Sequence, residues 1–131
     1  DGRETCSGSF SNFQWANAAS VTGVTNANTG ETNTSTLAAS VAAGSPHSAA
    51  QICQNHIQGG QTDWYLPATN EASVIVAACA SLPNGAQCSN GNRAWTSTEQ
   101  SSSNARYYQT NSGISQSGKT GAVSVYCVRK D

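Results

Sequence analysis

The sequence predicts an α+β fold, in which helices come before a small antiparallel sheet. Two segments, 46–57 and 69–82, carry apolar residues at helical spacing. Ala122 to Arg129 instead alternates apolar and polar residues, as a half-buried strand does. The 131 residues fit one domain, 1–131, in which residues 1–32 form a less defined N-terminal segment.

The helical part of the chain has clear start and stop signals. Thr36 to Ala43 favours one or two helical turns that end at Gly44. Ser45 as N-cap, with Pro46 in the first helical position, then opens the first main helix. Its apolar face consists of Ala49, Ile52, Cys53 and Ile57. Gly59-Gly60 ends this helix.

A second main helix opens near Thr69, with Glu71 in its first turn. One face of it carries Ile75, Ala78, Cys79 and Leu82. Two earlier strands, Arg106 to Thr110 and Ile114 to Ser117, are joined through the turn Asn111-Ser112-Gly113. The two main helices are expected to pack on this sheet, with long loops between the elements.

Composition excludes several classes of partner. Charged residues make up 10% of the chain and the net charge is -1, so no basic field is present to bind nucleic acid or anionic lipid. No apolar run approaches the roughly 20 residues of a membrane-spanning helix. We therefore expect neither nucleic-acid binding nor membrane insertion.

Five cysteines indicate an oxidising compartment, and no Cys-x-x-Cys motif is present. Cys79 and Cys88 bracket a turn-rich segment whose ends must come close, which favours a local disulfide between them. Of Cys6, Cys53 and Cys127, two can pair and one is left over.

Residues for catalysis are scarce. His47 and His56 are the only histidines, and they are interpreted as exposed side chains far apart on one helix. No Gly-x-Ser-x-Gly motif is present. Asp63 and Glu71 are too few acids for a calcium site. The sequence predicts no enzyme activity, no cofactor and no required metal.

A family resemblance rests on an ordered set of motifs. They are Asn33-Thr34, the helix with Ala50 and Cys53, Asp63-Trp64-Tyr65-Leu66-Pro67, Asn70-Glu71, Trp95-Thr96-Ser97-Thr98-Glu99 and Cys127-Val128-Arg129. Over roughly residues 33–129 the chain resembles the C-terminal domain family of the Legionella collagen-like adhesin. That family is similar to C-type-lectin-like domains, in which a disulfide ties the first helix to the last strand. The resemblance implies a Cys53–Cys127 disulfide, with Cys6 unpaired.

The resemblance also implies a setting. Family members sit at the tips of bacterial surface fibres or pili, and the named adhesin is a trimer that binds sulfated glycans. The chain departs from the family at Ala72, where leucine is frequent, and it lacks the basic surface that sulfated polymers require. The expected function is that of an extracellular adhesin module for cell-surface glycans. The alternative is a structural tip or assembly subunit that binds proteins.

Several motif residues are assigned structural roles. Flat aromatic faces suit sugar rings, but the core is the expected place for Trp64, Leu66, Pro67 and Trp95. Glu71 is expected to satisfy backbone N–H groups at a helix start. Arg129 is expected to pair with a carboxylate such as Glu71 or Glu99.

The candidate ligand site lies on the segment from Glu99 to Gln109, a polar loop that leads into a strand. Alternation puts Tyr107 on the opposite face from Arg106 and Tyr108, so one tyrosine is expected in the core and the other at the surface. The residues predicted to line a shallow pocket are Glu99, Asn104, Arg106 and Tyr108.

Overall fold

Helices and strands account for much of the chain that the structure describes. The computed structural model describes residues 3–5, 10–41, 44–77, 93–109 and 113–130. Its elements are β1 Arg3–Thr5, β2 Phe10–Phe13, α1 Gly30–Ala39, α2 Ser48–Gln54, α3 Thr69–Ala77, β3 Arg93–Glu99, β4 Asn104–Gln109, β5 Gly113–Gly118, β6 Val123–Val125 and β7 Val128–Lys130. The α+β class is confirmed, whereas a C-type-lectin-like fold stays a prediction.

The main sheet has five strands in the order β2-β6-β3-β4-β5, and β1 pairs with β7 in a second sheet. Most neighbouring strands are antiparallel, but β3 and β6 run parallel, with Ala94 opposite Ser124. The prediction of a wholly antiparallel sheet is therefore wrong at this pair. Strand β5 already runs parallel to β3, and the chain then crosses to the far side of β3, where β6 runs in the same direction.

The strands near the C-terminus differ in part from their sequence pattern. β4 and β5 lie where two strands were predicted, and Asn104 to Gln109 pairs in register with Gly113 to Gly118. The predicted strand from Ala122 to Arg129 divides into β6 and β7, which belong to different sheets. Strand β3 was not predicted, because six of its seven residues are buried and no alternation marks it.

Hydrophobic clusters cover both faces of the main sheet. The larger cluster joins helices α1 and α2 to one face and includes Trp15, Leu37, Trp64, Trp95, Tyr107 and Val125. The smaller cluster joins α3 to the other face and includes Tyr65, Ile75, Ala94, Tyr108 and Tyr126. The sheet therefore holds its side chains between helices on its two faces.

A disulfide joins Cys53 on α2 to Cys127 between β6 and β7, with a Cα–Cα distance of 5.4 Å. This bond is the one that the family resemblance implied, and it is consistent with an oxidising, extracellular compartment. The predicted Cys79–Cys88 bridge and the unpaired Cys6 lie outside the described residues.

Helix α1 begins six residues before the predicted Thr36, at Gly30. Its first turns contain threonine and asparagine, which are poor helix formers, so tertiary hydrogen bonds must fix them. The Asn33 amide donates to the carbonyl of Asn26 (2.7 Å), and the Thr34 hydroxyl accepts the backbone N–H of Leu66 (2.9 Å).

The predicted start of helix α2 is also wrong. His47, not Ser45, is the N-cap residue, and the Ser45–Pro46 peptide bond is cis. The Ser45 hydroxyl donates to the carbonyl of Ser40 (2.8 Å) instead of accepting a helix N–H. The helix ends at Gln54, so Ile57 lies beyond it and is 68% exposed. The described chain thus has three helices where two main helices were expected.

Helix α3 begins at the predicted residue, Thr69, and Glu71 lies in its first turn. Ile75 is buried as the helical spacing predicted. The remainder of the predicted apolar face, Ala78, Cys79 and Leu82, lies outside the described residues.

Gly30 fits a space that admits no side chain. A Cβ atom there would lie 2.5 Å from both the Glu71 carboxylate and the Leu66 carbonyl oxygen. We expect Gly30→Ala to lower the free energy of unfolding by about 1–3 kcal/mol, as overpacking does. Gly118→Ala is the matched control, since nothing lies within 4 Å of its Cβ position. Urea unfolding measures the free energy of unfolding of both variants. Equal losses in the two would contradict the close approach at Gly30.

Candidate functional site

An open cleft of about 490 Å³ lies between the first turns of α3 and the end of strand β3. Its other sides are strands β4 and β5 and the irregular segment before α1. The lining residues are Thr25, Ala27, Thr69, Asn70, Ser73, Thr98, Glu99, Gln100, Arg106 and Ile114. Six of these ten residues carry a hydroxyl or an amide group, and Ala27 and Ile114 are apolar.

The structure brings two of the four predicted site residues to this cleft. Glu99 and Arg106 line it, whereas Asn104 and Tyr108 are not among its lining residues. Tyr108 is 1% exposed and packs in the smaller hydrophobic cluster, so its ring cannot cover a sugar at the surface. Tyr107 is buried as well, which makes the prediction of one exposed tyrosine wrong. Alternation did not reveal this, because a hydrophobic cluster covers each face of β4, with Tyr107 in the larger cluster and Tyr108 in the smaller.

The Glu99 carboxylate lines the cleft but is fully engaged by the protein. The Lys119 ammonium lies 2.6 Å from its Oε2 atom, and the side chains of this pair are 0% and 3% exposed for Lys119 and Glu99 respectively. The backbone N–H and the hydroxyl of Thr22 also donate to Oε2, and the N–H of Gly23 donates to Oε1. Lys119 donates in addition to the Ser20 carbonyl (2.6 Å).

These contacts set the charge state of Glu99. Burial opposes ionisation, but the hydrogen bonds from Lys119, Thr22 and Gly23 outweigh it and hold the pKa of the Glu99 carboxyl below its ordinary value. The carboxylate is therefore charged at neutral pH, and its charge is balanced by the adjacent ammonium. Together they fasten the segment Ser20 to Gly23 to the end of the sheet.

The neighbouring wall of the cleft is fixed through Asn26. Its side-chain oxygen accepts the backbone N–H groups of Asn28 (2.7 Å) and Thr29 (3.1 Å), and its carbonyl accepts the Thr98 hydroxyl (3.1 Å). The Asn70 backbone N–H donates to the Ala27 carbonyl (2.8 Å), which ties the wall to α3. The cleft is thus lined by a hydrogen-bonded loop and by regular elements.

Glu71 satisfies backbone N–H groups as predicted, but at two helices. Its Oε1 atom accepts the N–H of Gly30 (2.7 Å) at the start of α1 and the N–H of Ala68 (3.0 Å) before α3. Its Oε2 atom accepts the Tyr65 hydroxyl (2.9 Å). The carboxylate is 2% exposed, so it is a structural group and does not face the cleft.

The remaining motif residues also have structural surroundings. Trp64 and Trp95 are 4% and 0% exposed, and the Trp95 indole donates to the Phe13 carbonyl (2.7 Å). Leu66 and Pro67 are buried. Arg129 does not bond Glu71 or Glu99 as predicted. Its guanidinium binds both oxygens of Asp63, at 2.7 and 3.1 Å, because Asp63 lies beside β7 just before Tyr65 pairs with Val128.

His47 is completely buried, contrary to the prediction of exposed histidines. Neither of its ring nitrogens has a hydrogen-bond partner in the described part of the chain. The ring packs edge-on against Trp15, and the Lys119 ammonium lies 4.9 Å from the centre of the Trp15 ring. Burial and, secondly, the Lys119 charge lower the pKa of His47, while the Leu37 backbone and Glu99 act more weakly in the opposite direction.

Stability should therefore fall on mild acidification. The ordinary pKa of histidine is 6.5. Below that pH, His47 takes up a proton in the unfolded chain but stays neutral in the folded chain. The contribution of neutral His47 to stability is therefore lost as the pH falls towards the lowered pKa. The Glu99 contribution is lost at still lower pH, below 4.5. Urea unfolding at about pH 8, 7, 6 and 5 measures the slope. His47→Phe should flatten it; an equal slope in the parent and in His47→Phe would contradict this account.

Sequence reasoning missed several groups of the site. Lys119 lies in the turn Gly118-Lys119-Thr120-Gly121, which is typical of an exposed side chain, yet it is 1% exposed. Thr22, Gly23 and Asn26 lie in a polar stretch without periodicity. Among the cleft residues that were missed, only those at the start of α3, near Thr69, carried a sequence signal. Polar residues in the first turn of a helix often project at the surface.

Comparison with known proteins adds no relative: no protein-family model matches this chain, and no curated protein matches its sequence. Within the described ranges, no three His, Cys, Asp or Glu side chains are grouped so that they could hold a metal ion. No helix in those ranges is long and apolar enough to cross a membrane.

Proposed function

We propose that this chain is an extracellular adhesin module, C-type-lectin-like in fold, that binds cell-surface glycans in the cleft beside α3. The observation that carries the proposal is the lining of this cleft. Threonine and serine hydroxyls and the amides of Asn70 and Gln100 surround it, and these groups exchange hydrogen bonds with sugar hydroxyls. Ile114 offers a small apolar surface to the ring carbons.

Two further features support this function. The loop that forms the cleft wall is fixed by hydrogen bonds around Asn26 and Glu99, which lowers the entropy lost on binding. The Cys53–Cys127 disulfide suits a protein exposed outside the cell. The cleft is shallow, so we expect micromolar to millimolar affinity per site, and several copies, for example a trimer on a fibre or pilus, would supply useful attachment.

A glycan array tests the proposal with a pair of matched variants. Ser73 lies on the exposed side of α3 and lines the cleft, whereas its neighbour Val74 is 41% exposed and does not line it. Ser73→Trp should fill the cleft and abolish binding, while Val74→Trp should bind as the parent does. Both variants should keep a melting temperature within a few degrees of the parent.

The result separates glycan recognition from a purely structural role. The proposal is supported if the parent and Val74→Trp bind neutral or weakly acidic glycans and Ser73→Trp does not. An array without any bound glycan would favour the alternative, a tip or assembly subunit that binds proteins. Unchanged binding in Ser73→Trp would place the binding site elsewhere on the molecule.

A further inference from the structure

Among the described residues, Arg106 differs from Glu99, the other charged residue that lines the cleft, in having no side-chain partner. It lies on β4 and lines the cleft, half-buried. Within the described part of the chain its guanidinium forms no ion pair or hydrogen bond. Its N–H donors are therefore available to an acceptor in the cleft, and a planar carboxylate satisfies two of those donors at once.

In the part of the chain that the structure describes, Glu99 and Glu71 are the carboxylates nearest in sequence to the cleft-lining residues, and neither is available to Arg106. Both Glu99 oxygens accept hydrogen bonds from Thr22 and Gly23, and Lys119 balances the charge at 2.6 Å. Both Glu71 oxygens are likewise occupied by backbone N–H groups and the Tyr65 hydroxyl. An acidic ligand would therefore meet one uncompensated cation in the cleft.

We infer that the cleft selects a sugar that bears a carboxylate, such as a uronic acid, and that Arg106 binds this carboxylate. The inference rests on the proposed function and narrows its ligand class. Cross-strand pairing places Gln116 opposite Arg106, and Ile114 lies two residues before it on β5. A sugar bound through its carboxylate at Arg106 would thus have Ile114 near its ring and the hydroxyls of Thr69 and Ser73 on the other side.

A comparison of acidic sugars with their neutral counterparts tests the inference. The probes are oligosaccharides of glucuronic and of galacturonic acid, and the same oligosaccharides after reduction of each carboxylate to an alcohol. Because a hydrogen bond to a charged group is strong, we expect the acidic form to bind about tenfold more tightly, or more. Raised salt should weaken the acidic form moderately and leave the neutral form unchanged.

Variants then assign the preference to one residue. Arg106→Gln should remove the difference between the acidic and neutral forms. Arg93→Gln, on the adjacent strand, removes an exposed arginine that does not line the cleft, and it should keep the difference. Arg106→Lys should keep part of it, since the charge remains and the paired donors are lost.

The outcomes distinguish this inference from the proposed function. Suppose that neutral glycans bind on the array, that Ser73→Trp abolishes this binding, and that a carboxylate on the sugar does not raise the affinity. That result would overturn the inference and leave the proposed function standing. Equal effects of Arg106→Gln and Arg93→Gln would also overturn it, because the preference would then reflect overall charge. An array without any bound glycan would overturn both.

Discussion

Glu71→Ala is expected to lower the free energy of unfolding by about 3–5 kcal/mol. The substitution leaves the Gly30 and Ala68 N–H groups and the Tyr65 hydroxyl buried without their acceptor. Each such group costs about 1–3 kcal/mol, and a cavity adds to that loss. Since the carboxylate links the starts of α1 and α3, its removal should also loosen the contact between these two helix starts. Urea unfolding at neutral pH measures the effect.

Two variants make this result specific. Glu71→Gln keeps the shape and one acceptor oxygen, so it should lose less than Glu71→Ala. Glu31→Ala removes a glutamate from the first turn of α1 whose side chain is 63% exposed, and it should change stability by under about 0.5 kcal/mol. Similar small losses for Glu71→Ala and Glu31→Ala would contradict the role assigned to Glu71.

Lys119→Met is expected to have a comparable effect, about 3–5 kcal/mol, because it leaves the buried Glu99 carboxylate without its counter-ion. It also removes the hydrogen bond to the Ser20 carbonyl that fastens the cleft wall. The double variant Lys119→Met with Glu99→Gln removes both charges, so it should lose less than the sum of the single changes. Thermal and urea unfolding of the set gives the coupling energy.

Lys130→Met is the matched control for this pair. Its ammonium is 51% exposed and lies 4.0 Å from Glu31, a geometry in which an ion pair contributes little. If Lys119→Met lowers the free energy of unfolding and Lys130→Met does not, the result supports a stabilising ion pair between Lys119 and Glu99. Additive effects of Lys119→Met and Glu99→Gln would show that the two side chains do not interact in solution.

Local signals in the sequence predicted part of the fold. Helix α3 follows from Thr69, Glu71 and the spacing to Ile75, all of which act within one helix. Strands β4 and β5 follow from their turn. Helix α1 could not be placed, because Asn33 and Thr34 depend on hydrogen bonds to Asn26 and Leu66 that are formed only in the folded chain.

Long-range contacts explain the other differences. Strand β3 lacks alternation because helices cover both faces of the sheet, and burial of both faces is a property of the whole fold. The parallel pairing of β3 with β6 depends on where the β4–β5 hairpin returns. The sequence gives no information on either point.

The candidate site was predicted in outline only. Glu99 and Arg106 were identified because a polar loop leads into a strand, and both line the cleft. The role of Tyr108 was wrong, since period-two alternation cannot tell a solvent face from a second buried face. Lys119 was missed because its buried position depends on Glu99, 20 residues away in the chain.

Amide NMR mapping of the glycan that binds best on the array tests the central claim, that the cleft beside α3 is the binding site. We predict that the chemical shifts of Thr25, Ala27, Asn70, Ser73 and Arg106 change on titration and that the changes saturate together. The contradictory result is a set of changes confined to another surface, such as the groove formed by Phe13, Ser48, Gln51, Ile52 and Asn55.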